Sequence, residues 1–194
     1  MYYNKGMKKG LLIIYSGPSG VGKSTILAEL LKEKELNLSF SISMTTRAPR
    51  GEEKEGVDYY FVDKKTFEEA VYNDELLEHA RYVDNYYGTP KKYVEKQREE
   101  GKNVILEIDI QGGKQVIEKC PDAVSIFILP PSIPELRRRL EERGTDSKEI
   151  VEKRLAEAQR EIDGSVAYKY RIVNNNLDEA IKRAKETIKA EMEK

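Results

Sequence analysis

Gly17-Pro18-Ser19-Gly20-Val21-Gly22-Lys23-Ser24-Thr25 is the stretch on which the reading of this chain turns. Gly17 and Gly22 bracket four residues and are followed by Lys23 and Ser24, the spacing of a loop that wraps phosphate. Upstream, Leu11 to Tyr15 is a short apolar, β-branched run that predicts a buried strand. Downstream, apolar residues from Ile26 to Leu31 recur at helical spacing. This is the strand–loop–helix setting the motif requires. Glycines let the backbone turn its N–H groups around an anion, and the helix N-terminus adds the positive end of its dipole. Lys23 then reaches the β- and γ-phosphates, and the Ser24 hydroxyl is a ligand for Mg²⁺. The expectation is a nucleoside triphosphate site.

The totals narrow the rest. In 194 residues, 34 basic and 35 acidic side chains leave a formal charge of −1, which argues against a bulk nucleic-acid binder. Any cationic site is therefore local. The length suits one α/β domain with inserts. The one cysteine, Cys120, excludes an internal disulfide and reads as a small packing residue in a reducing compartment. The lone histidine, His79, offers no metal cluster. No apolar run approaches membrane-spanning length, and Met1 to Lys9 lacks the apolar centre of a signal peptide. These features point to a cytoplasmic enzyme without membrane or nucleic-acid partners.

Further along, Leu38 to Ser43 reads as a strand, Asp58 to Val62 as another, Lys65 to Asn73 as a helix and Leu76 to Val83 as a strand. Tyr86-Tyr87-Gly88-Thr89-Pro90 reads as a turn before a charged helix from Lys91 to Glu100. The middle section lacks a long apolar strand, so it is expected to be an insert beside the main sheet. Val104-Ile105-Leu106-Glu107-Ile108-Asp109 and Ala123 to Leu129 are strong core strands. Arg171 to Val173 gives a last short strand, and Leu177 to Met192 a closing amphipathic helix. Strands alternating with helices predict a doubly wound parallel sheet.

Three groups of residues accompany the phosphate loop. Glu107 and Asp109 end a buried strand, where α/β folds place ligands, and an acid there can hold hydrated Mg²⁺ directly or through water. Arg47 and Arg50, set among Ser43, Thr45 and Thr46, can clamp a second phosphate. The stretch from Glu135 to Asp163 carries arginines at 137, 138, 139, 143, 154 and 160, with Arg139 and Arg143 one helical turn apart. Such a stretch can close like a lid and bring positive charge to a transferring phosphoryl group, while other arginines pair with Glu141, Glu142 or Glu157. No general base stands out. A phosphate oxygen, already ionised at neutral pH, needs none, which favours a nucleoside monophosphate kinase.

The phosphate loop, Ser43-x-Thr45-Thr46-Arg47-x-Pro49-Arg50, Asp58-Tyr59, Tyr86-Tyr87-Gly88-Thr89, Ile108-Asp109-x-Gln111-Gly112 and Leu129-Pro130-Pro131-Ser132 together resemble guanylate kinase. The resemblance runs from about Gly10 to the C-terminus. It implies a P-loop fold in which 10–42, 96–132 and 164–194 form the core, 43–95 a GMP-binding subdomain and 133–163 a helical lid. It implies transfer of the γ-phosphoryl group of ATP to GMP, with dGMP as a second acceptor, and Mg²⁺ as cofactor. By the same resemblance Gly17 to Thr25 cradle ATP, with Asn174 near the adenine. Ser43, Arg47, Arg50, Tyr59 and Tyr87 hold the GMP phosphate, Glu78 and Thr89 face the guanine, and Glu107 and Asp109 sit between the nucleotides. Ser24 and Asp109 would serve the metal, and Lys23, Arg139, Arg143 and Arg154 the transfer. The family usually carries acids after that asparagine, where this chain has Asn174-Asn175-Asn176. Two other classes stay open: a non-catalytic guanylate-kinase-like module that binds phosphorylated peptides, and a GTPase or a kinase for another monophosphate. Monomer and dimer are also both left open.

Overall fold

The computed structural model describes residues 8–82, 84–142, 144 and 146–194. The leader up to residue 7 and the expected lid residue Arg143 lie outside the described residues.

β1 (Leu12–Ser16) is buried along its whole length. It lies at the centre of a parallel sheet with β2 (Leu38–Phe40), β7 (Asn103–Glu107), β8 (Val124–Leu129) and β9 (Tyr170–Val173), in the order β2-β7-β1-β8-β9. Ile13 sits in register with Ile105 on one side and Val124 on the other. Continuous apolar strands need helices on both faces, and the chain supplies them. Ile13 and Tyr15 point to a cluster completed by Ile26 and Leu30 of α1 (Lys23–Lys32) and by Ala184 and Ile188 of α7 (Leu177–Met192). The alternate residues Leu12 and Ile14 face Val94 of α3 (Lys91–Glu99) and Val116 of α4 (Ile110–Lys119). Each such side chain contributes about 1.5–3 kcal/mol on burial, so this double-faced core dominates the stability.

The insert builds a second sheet from β3 (Ser43–Thr45), β4 (Tyr59–Phe61), β5 (Leu76–Tyr82) and β6 (Asn85–Pro90), ordered β4-β3-β6-β5. α2 (Lys64–Tyr72), capped by Asp63, packs on it through Phe67 and Ala70. Two expectations need correction here. Leu38 to Ser43 is not one strand: the chain leaves the main sheet after Phe40 and joins the second at Ser43. Residues 86–90 are not a turn but part of β6, paired with both β3 and β5. Gly88 is there because of close approach: a Cβ would meet Leu76 Cδ1 at 2.8 Å.

The arginine-rich stretch forms α5 (Ile133–Glu142) and α6 (Lys148–Gly164), with their own apolar cluster of Leu136, Leu140, Val151, Leu155 and Ala158. The boundary expected between 95 and 96 falls inside α3, which runs unbroken. Among the described residues no helix is long and apolar enough to cross a membrane.

α4 is unexpected from propensity, since Gly112 and Gly113 weaken a helix. Packing explains them. Tyr168 donates from its hydroxyl to Ser16 Oγ at 2.8 Å, and a Cβ on Gly113 would stand 1.8 Å from that hydroxyl oxygen. Gly113→Ala should therefore destabilise the fold by about 2 kcal/mol despite the better helix propensity of alanine. Adding Tyr168→Phe, which removes the blocking oxygen, should recover part of the loss. Urea denaturation of both singles and the double checks this, and additive losses would refute the packing account.

Candidate active site

The phosphate loop joins β1 to α1 with Gly20 at φ +86° and Gly22 at φ +95°, conformations that L side chains rarely adopt. Space forbids them as well: a Cβ on Gly20 would lie 2.7 Å from Leu140 Cδ2, and one on Gly22 2.6 Å from Asn174 Nδ2. Asn174 is buried, and its amide donates to Val21 O at 2.8 Å. Asp63 caps α2 and Asp109 caps α4, whereas among the described residues no side chain caps α1. Its first N–H groups thus keep the capacity to bind an anion. Lys23 Nζ donates to Gly17 O at 2.6 Å and Pro18 O at 3.1 Å, which holds the ammonium over the loop.

Ser24 Oγ lies 3.5 Å from Glu107 Oε1. Asp109, expected with Ser24 at the metal, accepts from Gly112 N at 2.7 Å through Oδ1, caps α4 and lines the same cleft as Lys23 and Glu107. Glu107 is the carboxylate that meets Ser24. Among the described residues no three His, Cys, Asp or Glu side chains converge as a metal cage. A hydroxyl with one carboxylate fits Mg²⁺, which keeps several waters and binds through few protein groups.

On the second sheet, Ser43, Tyr59, Glu78 and Tyr87 line a cavity of about 350 Å³ together with Glu107 and Asp109. Glu78 is buried, and Thr89 Oγ1, fully buried behind it, donates to Oε1 at 2.6 Å. Burial pushes the Glu78 carboxyl up to about 7; the Thr89 hydrogen bond opposes this and Asp109 adds to it. A Cβ on Gly112 would touch Glu78 Oε2 at 2.6 Å, so the glycine of α4 makes room for this acid. Arg47 is buried and, like Arg50, is not in the cavity lining. Its guanidinium forks onto Glu53 at 2.9 Å to each oxygen and lies 5.3 Å from the Tyr59 ring centroid. Its hydrogen bond to Glu53 raises the Arg47 pKa and lowers that of Glu53. Arg50 is exposed; its backbone N–H donates to Glu53 at 2.8 Å, and its side chain is not in the cavity lining.

The lid arginines divide sharply. Arg137 pairs with Glu152, and Arg138 with Glu135 and Glu142, on the surface. Arg139 donates to Glu135 Oε1 at 2.8 Å and Asn174 O at 3.0 Å, and lines a cavity of about 470 Å³ with Gly20, Gly22, Thr25, Asn174 and Asn175. Arg154 reaches Ser19 Oγ at 3.5 Å and Asp146 at 3.2 Å. Glu161, not singled out in the sequence, lines the central cleft with Lys23, and burial pushes its carboxyl up to about 7 against the pull of Lys23. Only its spacing of seven from Arg154, which puts both on one face of α6, could have flagged it. Glu53 likewise carried no signal among the charges of its loop. Away from the cavities, His79 is exposed, and Cys120 packs half-buried against the core.

The family model described as guanylate kinase matches residues 9–191. The guanylate kinase of Latilactobacillus sakei is 49% identical over 183 residues, covering 94% of this chain and 90% of that protein. That of Lactococcus lactis is 50% identical over 184 residues, covering 95% and 89%. The crystal structure of guanylate kinase from Anaplasma phagocytophilum aligns with a TM-score of 0.75 at 39% identity, covering 96% of this chain and 88% of that one.

The position of Glu78 has a measurable consequence. A carboxyl whose folded pKa exceeds its unfolded value stabilises the fold at low pH and loses that contribution as pH rises through the folded value. Between about pH 4.5 and 7, ionisation of Glu78 therefore weakens the wild-type fold. Glu78→Gln should gain up to about 3 kcal/mol relative to wild type as pH rises from 5 to 8. Thermal melts across that range check the sign, and a difference that does not change with pH would contradict it.

Proposed function

The chain belongs to the guanylate kinase family, and we propose that it transfers the γ-phosphoryl group of ATP to GMP in the cleft between its two sheets. One observation carries the assignment of sites. A single cleft of about 480 Å³ is lined by Gly17, Ser19 and Lys23 of the phosphate loop, by Ser43, Asp58 and Tyr59 of the inserted section, and by Glu107 and Asp109. The residues that this reading assigns to the two phosphates therefore share one cleft.

In this reading the backbone N–H groups of Ser19 to Thr25 and the Lys23 ammonium hold the ATP phosphates, and the cavity of Arg139 and Asn174 receives the adenosine. Asn174 acts through its amide as a brace for the loop and through its backbone as an anchor for Arg139. The GMP phosphate rests against Ser43, Tyr59 and Tyr87, with Arg47 and Arg50 as its cationic partners. Guanine presents N1–H and N2–H donors, which the Glu78 carboxylate accepts; adenine would set its N1 acceptor against that carboxylate. Thr89 supports the pair by fixing Glu78. A GMP phosphate oxygen forms the new P–O bond while the bond between the γ-phosphorus and the β–γ bridging oxygen breaks, leaving ADP and GDP. The nucleophile is already ionised, so position and charge suffice. Lys23, Arg139, Arg154 and, by the family resemblance, Arg143 supply positive charge at the transferring group. Mg²⁺ would be held by Ser24 and Glu107, with Asp109 through water, and supplies neutralisation of the phosphate charge when bound. The near-balanced charge and single cysteine support a cytoplasmic setting.

An ADP-release assay with ATP, Mg²⁺ and each of GMP, dGMP, AMP, UMP and CMP tests the substrate. Release is expected with GMP, and with dGMP to a lesser or equal degree; release with AMP but not GMP would remove the guanine assignment. Arg47→Ala should raise KM for GMP about a hundredfold, the scale of a lost charged hydrogen-bond pair, and leave KM for ATP within about twofold. Equal losses for both substrates would contradict two separate anion sites.

A further inference from the structure

Tyr82 ends β5 and stands 72% exposed, yet its side chain borders two cavities at once. One is the acceptor cavity beside Ser43, Glu78 and Tyr87. The other, about 420 Å³, opens between this corner of the second sheet and α6, with Ile150, Arg154 and Ala158 on the helix side and Ser19 of the phosphate loop among its walls. Ile150 is itself 44% exposed and belongs to no core cluster among the described residues; the lid core is built from its neighbours Val151, Leu155 and Ala158. Tyr82 likewise stands outside the cluster of Phe67, Ala70 and Leu76 that holds its own sheet. An aromatic ring and an aliphatic side chain therefore face one gap from two units, and neither unit's own core needs it.

We propose that Tyr82 is a positioning residue through which the acceptor sheet engages the lid, its ring packing on Ile150 as the gap narrows. Ile150 and Arg154 lie four residues apart, on one face of α6, so the same approach presses Arg154 toward Ser19 and the transferring group. Apolar area lost from water drives the contact, and the phenol hydroxyl is not required. A contact made only when the two units come together favours turnover and adds nothing to GMP binding by itself. The inference rests on the GMP kinase reading.

The test uses Tyr82→Ala, Tyr82→Phe, Ile150→Ala and the double alanine variant of the full chain. Both single alanine variants should lower kcat about tenfold, and the double variant should be no worse than the worse single, as expected for residues that act on each other. Tyr82→Phe should retain wild-type kcat. GMP affinity measured by calorimetry without ATP should stay at the wild-type value in all four, and so should the melting temperature. Loss of GMP affinity in Tyr82→Ala would make the ring a plain wall of the acceptor cavity and overturn the proposal, as would multiplicative losses in the double variant. A wild-type chain that turns over GMP beside an equally fast Tyr82→Ala overturns this inference alone; a wild-type chain inactive on GMP overturns the functional reading beneath it.

Discussion

The phosphate loop has no room for a side chain at Gly17, Gly20 or Gly22, and much of the molecule follows from that. Gly20 is pressed against Leu136 and Leu140 of the lid, and Gly22 against the Asn174 amide. The loop is thus moulded from outside as well as by its own glycines: lid core on one side, the segment after β9 on the other. Asn174 ties the two together, since its amide holds Val21 O while its carbonyl holds Arg139. A movement of α5 changes the wall against which the loop is shaped.

Charge sets the second constraint. Glu78, Glu107, Asp109 and Glu161 border the cavities in which two anionic nucleotides would meet. Like charges 4 Å apart repel by about 4 kcal/mol at an effective dielectric near 20, so a carboxylate-lined cleft admits phosphates only with cations between them. The chain distributes these cations unequally. Lys23 sits over the loop, Arg47 is fixed beneath Tyr59 by Glu53, and Arg139 and Arg154 come from the lid. Burial keeps Glu78 and Glu161 partly protonated near neutrality, which lowers the repulsion the cleft must overcome.

The parts legible in the sequence were those where one local signal outweighed every competitor. β1, β7, β8 and α7 came from apolar or periodic runs and the phosphate loop from the spacing of its glycines, Lys23 and Ser24, and the bounds of α7 agree to the residue. The second sheet was harder because its strands are short and half-buried, and their partners lie far away in the chain. Tyr86 to Pro90 carried the turn residues glycine and proline, yet tertiary pairing with β3 and β5 made it a strand, and its glycine serves a tight contact. α4 was hidden for the same reason, since its glycines answer Glu78 and Tyr168, residues distant in sequence. Glu78 itself is one glutamate among many; only three-dimensional burial distinguishes it, and only the family resemblance named it. Lid arginines were visible as a group, but which of them reach the loop was decided by where Glu135, Glu142 and Glu152 fell.

The two sheets are joined by little chain, and this bears on how the second sheet can move. Phe40 still pairs with Ile105 in the main sheet, and Ser43 already pairs with Tyr59 in the second. Between them, Ser41 stays attached to the main sheet through its N–H to Ile105 O at 3.0 Å. The return passes directly from Pro90, paired with Leu76, into α3, whose Val94 lies in the main core. With both links this short, the acceptor sheet has little freedom to translate away from the phosphate loop, and rotation about the links is the motion that remains. Rotation preserves the separation near the axis, where Ser41 and Ser43 line the cleft, and sweeps the far corner of the sheet through the largest arc. Tyr82 stands at that corner. The same short links that hold Ser41 and Ser43 at the cleft therefore give the sheet its longest reach at Tyr82, toward α6.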